Sequence, residues 1–75
     1  MTNIVDYDSA IADRVRAERA ARGWSIAELA EKSGISKAMI SRVERNEANP
    51  TAGLLLKIAT AFGLTMASFF SRVED

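Results

Sequence analysis

The stretch "SGISKAMISRVERNEANPT", residues 33–51, decides how this chain folds. Gly34 stands between two helix-like runs and supplies the positive φ that a tight connection between helices needs. Ser33 closes the run before it, Ile35 is placed to plug a core, and Ser36 caps the run after it. On a helical wheel at about 100° per residue, Met39, Ile40 and Val43 share one arc. Lys37, Ala38, Ser41, Arg42 and Arg45 occupy the opposite arc, and Glu44 lies at the border. Residues 37–45 therefore predict a helix with an apolar floor and a cationic, acid-free outer face. Asn46 tolerates the left-handed conformation and marks the helix end.

The preceding segment carries a strong start signal. Ser25 and Glu28 form a capping box, and Trp24 and Leu29 take the positions of a hydrophobic staple. This predicts a helix over residues 26–32. Two short helices joined by about three to four residues with a glycine make a helix-turn-helix. Further back, Ile11, Val15 and Arg19 lie along one line of a helix over residues 8–22, capped by Asp8 or Ser9. Arg19 in that line needs a carboxylate partner. Downstream, Leu55, Ile58, Ala59 and Phe62 form the inner stripe of a fourth helix, opened by Pro50 with Asn49 as cap, or by Thr51 as cap. A short fifth helix after Thr65 carries Met66, Phe69 and Phe70. Gly23, Gly34 and Gly63 each end an apolar-periodic run. No stretch alternates with period two, so no strand is expected. The fold class is all-α.

Composition bounds what such a domain does. Seventy-five residues, 48% of them apolar, suit one small domain without a deep substrate cavity. There is no cysteine and no histidine, which removes disulfides, thiolate metal sites and the commonest catalytic base. No apolar run exceeds three residues, as in Leu54, Leu55 and Leu56, so no membrane span is expected. These features predict a cytoplasmic, non-enzymatic protein without a cofactor. Net charge is zero, with ten basic and ten acidic residues, so any basic surface has to be local. It is local to residues 36–46, where Lys37, Arg42 and Arg45 face Glu44 alone.

That placement suits a helix entering the major groove of DNA. Lys37 and Arg42 can donate to guanine, Ala38 can touch a thymine methyl, and Ser41 can bond a base edge or phosphate. The capped helix start at Ser25, the Ser36 hydroxyl, and Arg45, Asn46 and Asn49 at the helix exit suit the phosphate backbone.

From Ile11 to Phe70 the chain resembles the lambda-repressor/Cro-like, or XRE, helix-turn-helix family. The residues that carry the resemblance are "IADRVRAERAARGWSIAELAEKSGISKAMISRVERNEANPTAGLLLKIATAFGL". The resemblance implies five helices, with the third in the major groove. It implies a salt bridge between Arg19 and Glu44. It places base contacts on Lys37, Ala38 and Arg42, and phosphate contacts near Ser25, Ile26, Ser36, Asn46 and Asn49. Within the family the chain is most similar to regulators with a C-terminal cupin sensor domain. Three departures from the family pattern stand out: Glu47, with the zero net charge, weakens the electrostatic footprint, Ile26 stands where glutamine is common, and Glu18 stands where a core leucine is common. The last predicts thinner packing for the first helix.

The chain is expected to have an N-terminal arm at 1–8, a DNA-binding domain at 9–71, and a tail at 72–75 that either begins a linker to a further domain or ends a short regulator like restriction-modification controller proteins or antitoxins. The domain is expected to regulate transcription by binding a palindromic operator as a homodimer. Leu56, Met66, Phe69 and Phe70 are the expected dimer or interdomain surface, with one of the two adjacent phenylalanines expected to fill the core and the other to face outward. The alternative is a protein-binding, antitoxin-like module that keeps the fold without reading DNA.

Overall fold

In the computed structural model, which describes residues 7–73, five helices follow one another. They are α1 (Tyr7–Ala21), α2 (Ile26–Ser33), α3 (Lys37–Glu44), α4 (Ala52–Ala61) and α5 (Met66–Val73). The expected arm at residues 1–8 falls outside the described residues except for positions 7 and 8, which belong to α1. Neither Asp8 nor Ser9 is therefore the N-cap of α1. Both lie inside the helix.

Three helices stop by the same device. After α1, the Trp24 N–H reaches back to the Arg19 carbonyl at 3.1 Å across Gly23. After α4, Leu64 N–H reaches Ala59 at 2.9 Å across Gly63. After α3, Glu47 N–H reaches Arg42 at 2.8 Å across Asn46. Each is a Schellman closure with one residue at positive φ, and at Asn46 that angle is 59°. Helix starts are equally explicit. Thr51, not Asn49, caps α4 through its hydroxyl, which accepts the Leu54 N–H at 3.1 Å. Thr65 does the same for Ser68 at 3.0 Å at the start of α5.

The core gathers the stripes read from the sequence. Ile11, Val15, Leu29, Ile35, Ile40, Val43, Leu55, Ile58, Ala59, Phe62 and Phe69 are all buried in one cluster. Helix α2 packs on α3 and α4, while α1 packs on α3 and α5. Trp24 stacks on Phe62 with ring centroids 5.8 Å apart, which ties the α1–α2 connection to the end of α4.

Glu18 does not thin the packing of α1. Its carboxylate lies 2.6 Å from Arg14 Nε and 2.6 Å from Arg22 Nη1. The Arg14 approach is an ion pair in which Nε makes no directed hydrogen bond. Arg14, on α1, and Arg22, just past its end, both reach carbonyls far along the chain. Arg14 donates to the Phe69 carbonyl at 3.2 Å, and Arg22 donates to the Phe62 carbonyl at 2.7 Å. The Arg22 guanidinium also lies 4.8 Å from the Phe62 ring centroid. A carboxylate between two arginines thus takes the place of a core leucine and carries α1 onto α4 and α5.

The hydrogen bond from Arg22, followed by the charges of Arg14 and Arg22, outweighs burial and holds the Glu18 carboxyl below its ordinary value of 4.5. A depressed carboxyl contributes stability that is present above the unfolded value and is lost as pH falls through the folded one. Glu18→Gln should therefore be less stable than the wild type near neutral pH. The gap should close well below pH 4.5. Urea unfolding midpoints of both proteins at the two pH values check this.

Candidate nucleic-acid interface

The helix-turn-helix is built from its caps. Ser25 Oγ accepts the Glu28 N–H at 3.1 Å, and the Glu28 carboxylate accepts the Ser25 N–H at 2.9 Å. This closed box orients α2 and leaves the N–H groups of its first turn, at Ile26 and Ala27, pointing off the helix end. The Ile26 side chain packs against the core, so this residue offers only its backbone. Gly34, at φ 75°, ends α2 with its N–H on the Ala30 carbonyl. Ile35 is buried beneath the turn, and Ser36 then caps α3 by accepting the Met39 N–H at 3.2 Å. Both serine hydroxyls keep a proton to donate.

Helix α3 buries Ile40 and Val43, and Met39 lies half-buried against them. On the other side Lys37, Ala38, Arg42 and Arg45 are exposed, with Ser41 half-buried between them. Residues at i, i+1, i+4 and i+5 of a helix share a face, so Lys37, Ala38, Ser41 and Arg42 present one surface. Ser25, Ser36, Asn46 and Asn49 are also exposed.

What fixes α3 is its C-terminal end. Arg19 grips Glu44 with two hydrogen bonds, Nε to Oε2 at 2.7 Å and Nη2 to Oε1 at 2.8 Å. Its remaining Nη1 donates to the Trp24 carbonyl at 2.9 Å. The Glu44 side chain is only 5% exposed. The hydrogen bonds that Arg19 donates to Glu44 raise its guanidinium above its ordinary value. Arg16 adds a bond to the Glu44 backbone carbonyl. One residue of α1 therefore holds both the end of α3 and the entry to α2.

The outer face of α3 is not acid-free in three dimensions. The chain reversal at Asn46 brings Glu47 back, and its carboxylate accepts Arg45 Nη2 at 3.0 Å. Arg45 Nη1 donates to Ser41 Oγ, and Arg42 Nη2 donates to the Glu47 carbonyl at 3.3 Å. The helical wheel missed this because Glu47 lies beyond the helix.

The expected dimer or interdomain set divides. Leu56 is 52% exposed and is the only large hydrophobic residue so exposed among the described residues. Met66 and Phe70 are half-buried. Phe69 does not belong with them. It is fully buried, its ring 5.5 Å from the Arg14 guanidinium and edge-on to Phe70 at 5.6 Å. Adjacent aromatics on one helix diverge by about 100°, so one faces inward and the other toward the rim. Arg14, which the helical wheel does not single out, is 8% exposed. The spacing of Arg14, Glu18 and Arg22 at i and i+4 was the available signal.

Among the described residues no group of acids could hold a metal ion, and no helix is long and apolar enough to cross a membrane. A helix-turn-helix family model matches residues 15–69. The transcriptional regulator SutR of Escherichia coli (strain K12) is 41% identical over 71 residues, 95% of this chain and 38% of SutR. The antitoxin HipB of the same organism is 38% identical over 56 residues, 75% of this chain and 64% of HipB. A crystal structure of an HTH_3 family transcriptional regulator from Vibrio cholerae superposes with a TM-score of 0.83 at 37% identity. That match covers 89% of this chain and 38% of the other. The chain thus spans less than two thirds of each of these proteins. With the capped helix pair, the buried Arg19–Glu44 anchor and these matches in agreement, the chain belongs to the Cro/C1-type (XRE) helix-turn-helix family of non-enzymatic, DNA-binding domains.

Proposed function

We propose that the chain is the DNA-reading part of a transcriptional regulator that binds a palindromic operator as a homodimer in the cytoplasm. The observation that carries this is the surface of exposed Lys37, Ala38 and Arg42 around a half-buried Ser41, on a helix whose opposite side is buried and whose end is clamped by Arg19. Small residues at positions 38 and 41 let the helix sit deep, and the flanking cations reach base edges. Ser25, the backbone at Ile26, Ser36, Arg45, Asn46 and Asn49 contact phosphates and set the register. Leu56, Met66 and Phe70 supply the surface for a second copy or a further domain, for which a cupin-like sensor is the proposed type. A dimer places half-sites roughly 34–36 Å apart.

The test is fluorescence anisotropy on an operator selected from random duplexes. Arg42→Ala should lose about 1–3 kcal/mol of binding and relax specificity at one base pair. Asn49→Ala should weaken all sequences alike. No change for Arg42→Ala in affinity or preference overturns its base-reading role.

A second reading rests on the likeness to the antitoxin HipB and on the zero net charge. In it the same fold binds a protein partner and leaves DNA unread. A flat slope of log affinity against log salt would favour it, because phosphate contacts release counterions.

A further inference from the structure

Glu47 is held in place by backbone. Its N–H closes the Schellman motif on the Arg42 carbonyl, and Asn46 at positive φ turns the chain so that residue 47 comes back beside α3. From there its carboxylate takes one Arg45 nitrogen, while its carbonyl takes one nitrogen of Arg42. The other end of the Arg45 guanidinium is occupied by Ser41. Three residues of the outer face, Ser41, Arg42 and Arg45, are thus bound to one another or to Glu47. Lys37 makes no ion pair among the described residues.

We propose that Glu47 is an intramolecular competitor with DNA phosphate for Arg45, and that it holds the affinity of the domain below what its basic helix alone would give. This rests on the DNA-binding reading above and deepens it. The groups that face Glu47 are Arg45 and, by charge at longer range, Arg42. Glu44, the other acid in this region, is already taken by Arg19 and does not compete. The hydrogen bond from Arg45 keeps the Glu47 carboxyl below its ordinary value, so the competitor is charged at neutral pH.

Exposure decides what the contact is for. Arg45 and Glu47 are 53% and 55% exposed, and an ion pair so open to water contributes little to folding. The same openness lets a phosphate displace the carboxylate. Since the chain as a whole has no net charge, each cation released onto the backbone counts. The phosphate term is independent of sequence, so the competitor lowers binding to every duplex and suppresses unspecific occupancy.

The experiment compares wild type, Glu47→Gln, Arg45→Gln and the double variant by anisotropy across a salt series. Each binds a selected operator duplex and an unrelated duplex. Glu47→Gln should bind both about fivefold more tightly, the upper range for releasing an exposed pair, with an unchanged melting curve. Its salt slope should steepen by about one, the mark of one added phosphate contact. In the Arg45→Gln background the gain should vanish. Unchanged or weaker binding by Glu47→Gln, in a wild type that does bind, overturns the competition. An equal gain in both backgrounds also overturns it, because the acid then repels phosphate directly. If none of the four proteins binds either duplex, the DNA-binding reading itself fails.

Discussion

Arg19→Met should destabilise the domain by about 3 kcal/mol, because it strands the carboxylate of Glu44 in a dry site. The Glu44 side chain is 5% exposed, and both of its oxygens receive Arg19 and no other side chain. Arg19 itself is 21% exposed, which places the loss at the low end for a buried pair. The substitution also removes the donor to the Trp24 carbonyl, at the junction of α1 and α2. Against a total stability of about 5–15 kcal/mol, and toward the lower end for so small a chain, this is a large fraction. Urea titration followed by circular dichroism and by the single tryptophan, Trp24, reads it. The converse variant, Glu44→Leu, leaves a charge that still has the Trp24 carbonyl and a route to water, so it should lose less. Arg19→Met with Glu44→Leu should recover most of the loss, since neither partner is left charged and alone. If Arg19→Met unfolds at the wild-type midpoint, the pair is not the anchor of α3. Where the variant is still folded, operator affinity should fall too, because the end of α3 is no longer fixed against α1.

Much of this arrangement was legible in the sequence because local chemistry and apolar period agreed. The capping box at Ser25, the glycines at 23, 34 and 63, and the left-handed Asn46 are each local backbone requirements, and each is met in the fold. Arg19 could be read as needing an acid, because a cation in line with Ile11 and Val15 has no other way to be buried. The remainder was hidden by the same reliance on local pattern. Arg14 and Arg22 look like solvated helix positions until α4 and α5 supply carbonyls and rings for them. Glu47 lies past the end of α3, so no periodicity assigns it to the outer face. Only the reversal at Asn46 does. The order of Phe69 and Phe70 was open because a two-residue apolar pair fits either rotation of a short helix.

That last ambiguity gives the largest effect. Phe69→Ala should lose about 3–5 kcal/mol, the range for deleting a fully buried aromatic, and leave little stability in so small a domain. The ring is buried in the core cluster on α5, the helix that packs on both α1 and α4, and it is the surface on which the Arg14 guanidinium rests. The bond from Arg14 goes to the Phe69 backbone carbonyl and survives the substitution, so the lost quantity is packing and ring contact. Phe70→Ala removes a half-buried ring and should lose only about 1 kcal/mol of transfer and edge-to-face contact. The two variants therefore separate folding from assembly. Phe69→Ala should show its whole effect in thermal melts at any protein concentration. Phe70→Ala, together with Leu56→Ala, should keep the fold while shifting the concentration dependence of operator binding, as weakened pairing of two copies requires. Equal melts for Phe69→Ala and Phe70→Ala would overturn the inward placement of Phe69. A Phe70→Ala, Leu56→Ala double variant that binds the operator with unchanged concentration dependence would remove this face from the proposed dimer and leave it to an interdomain contact.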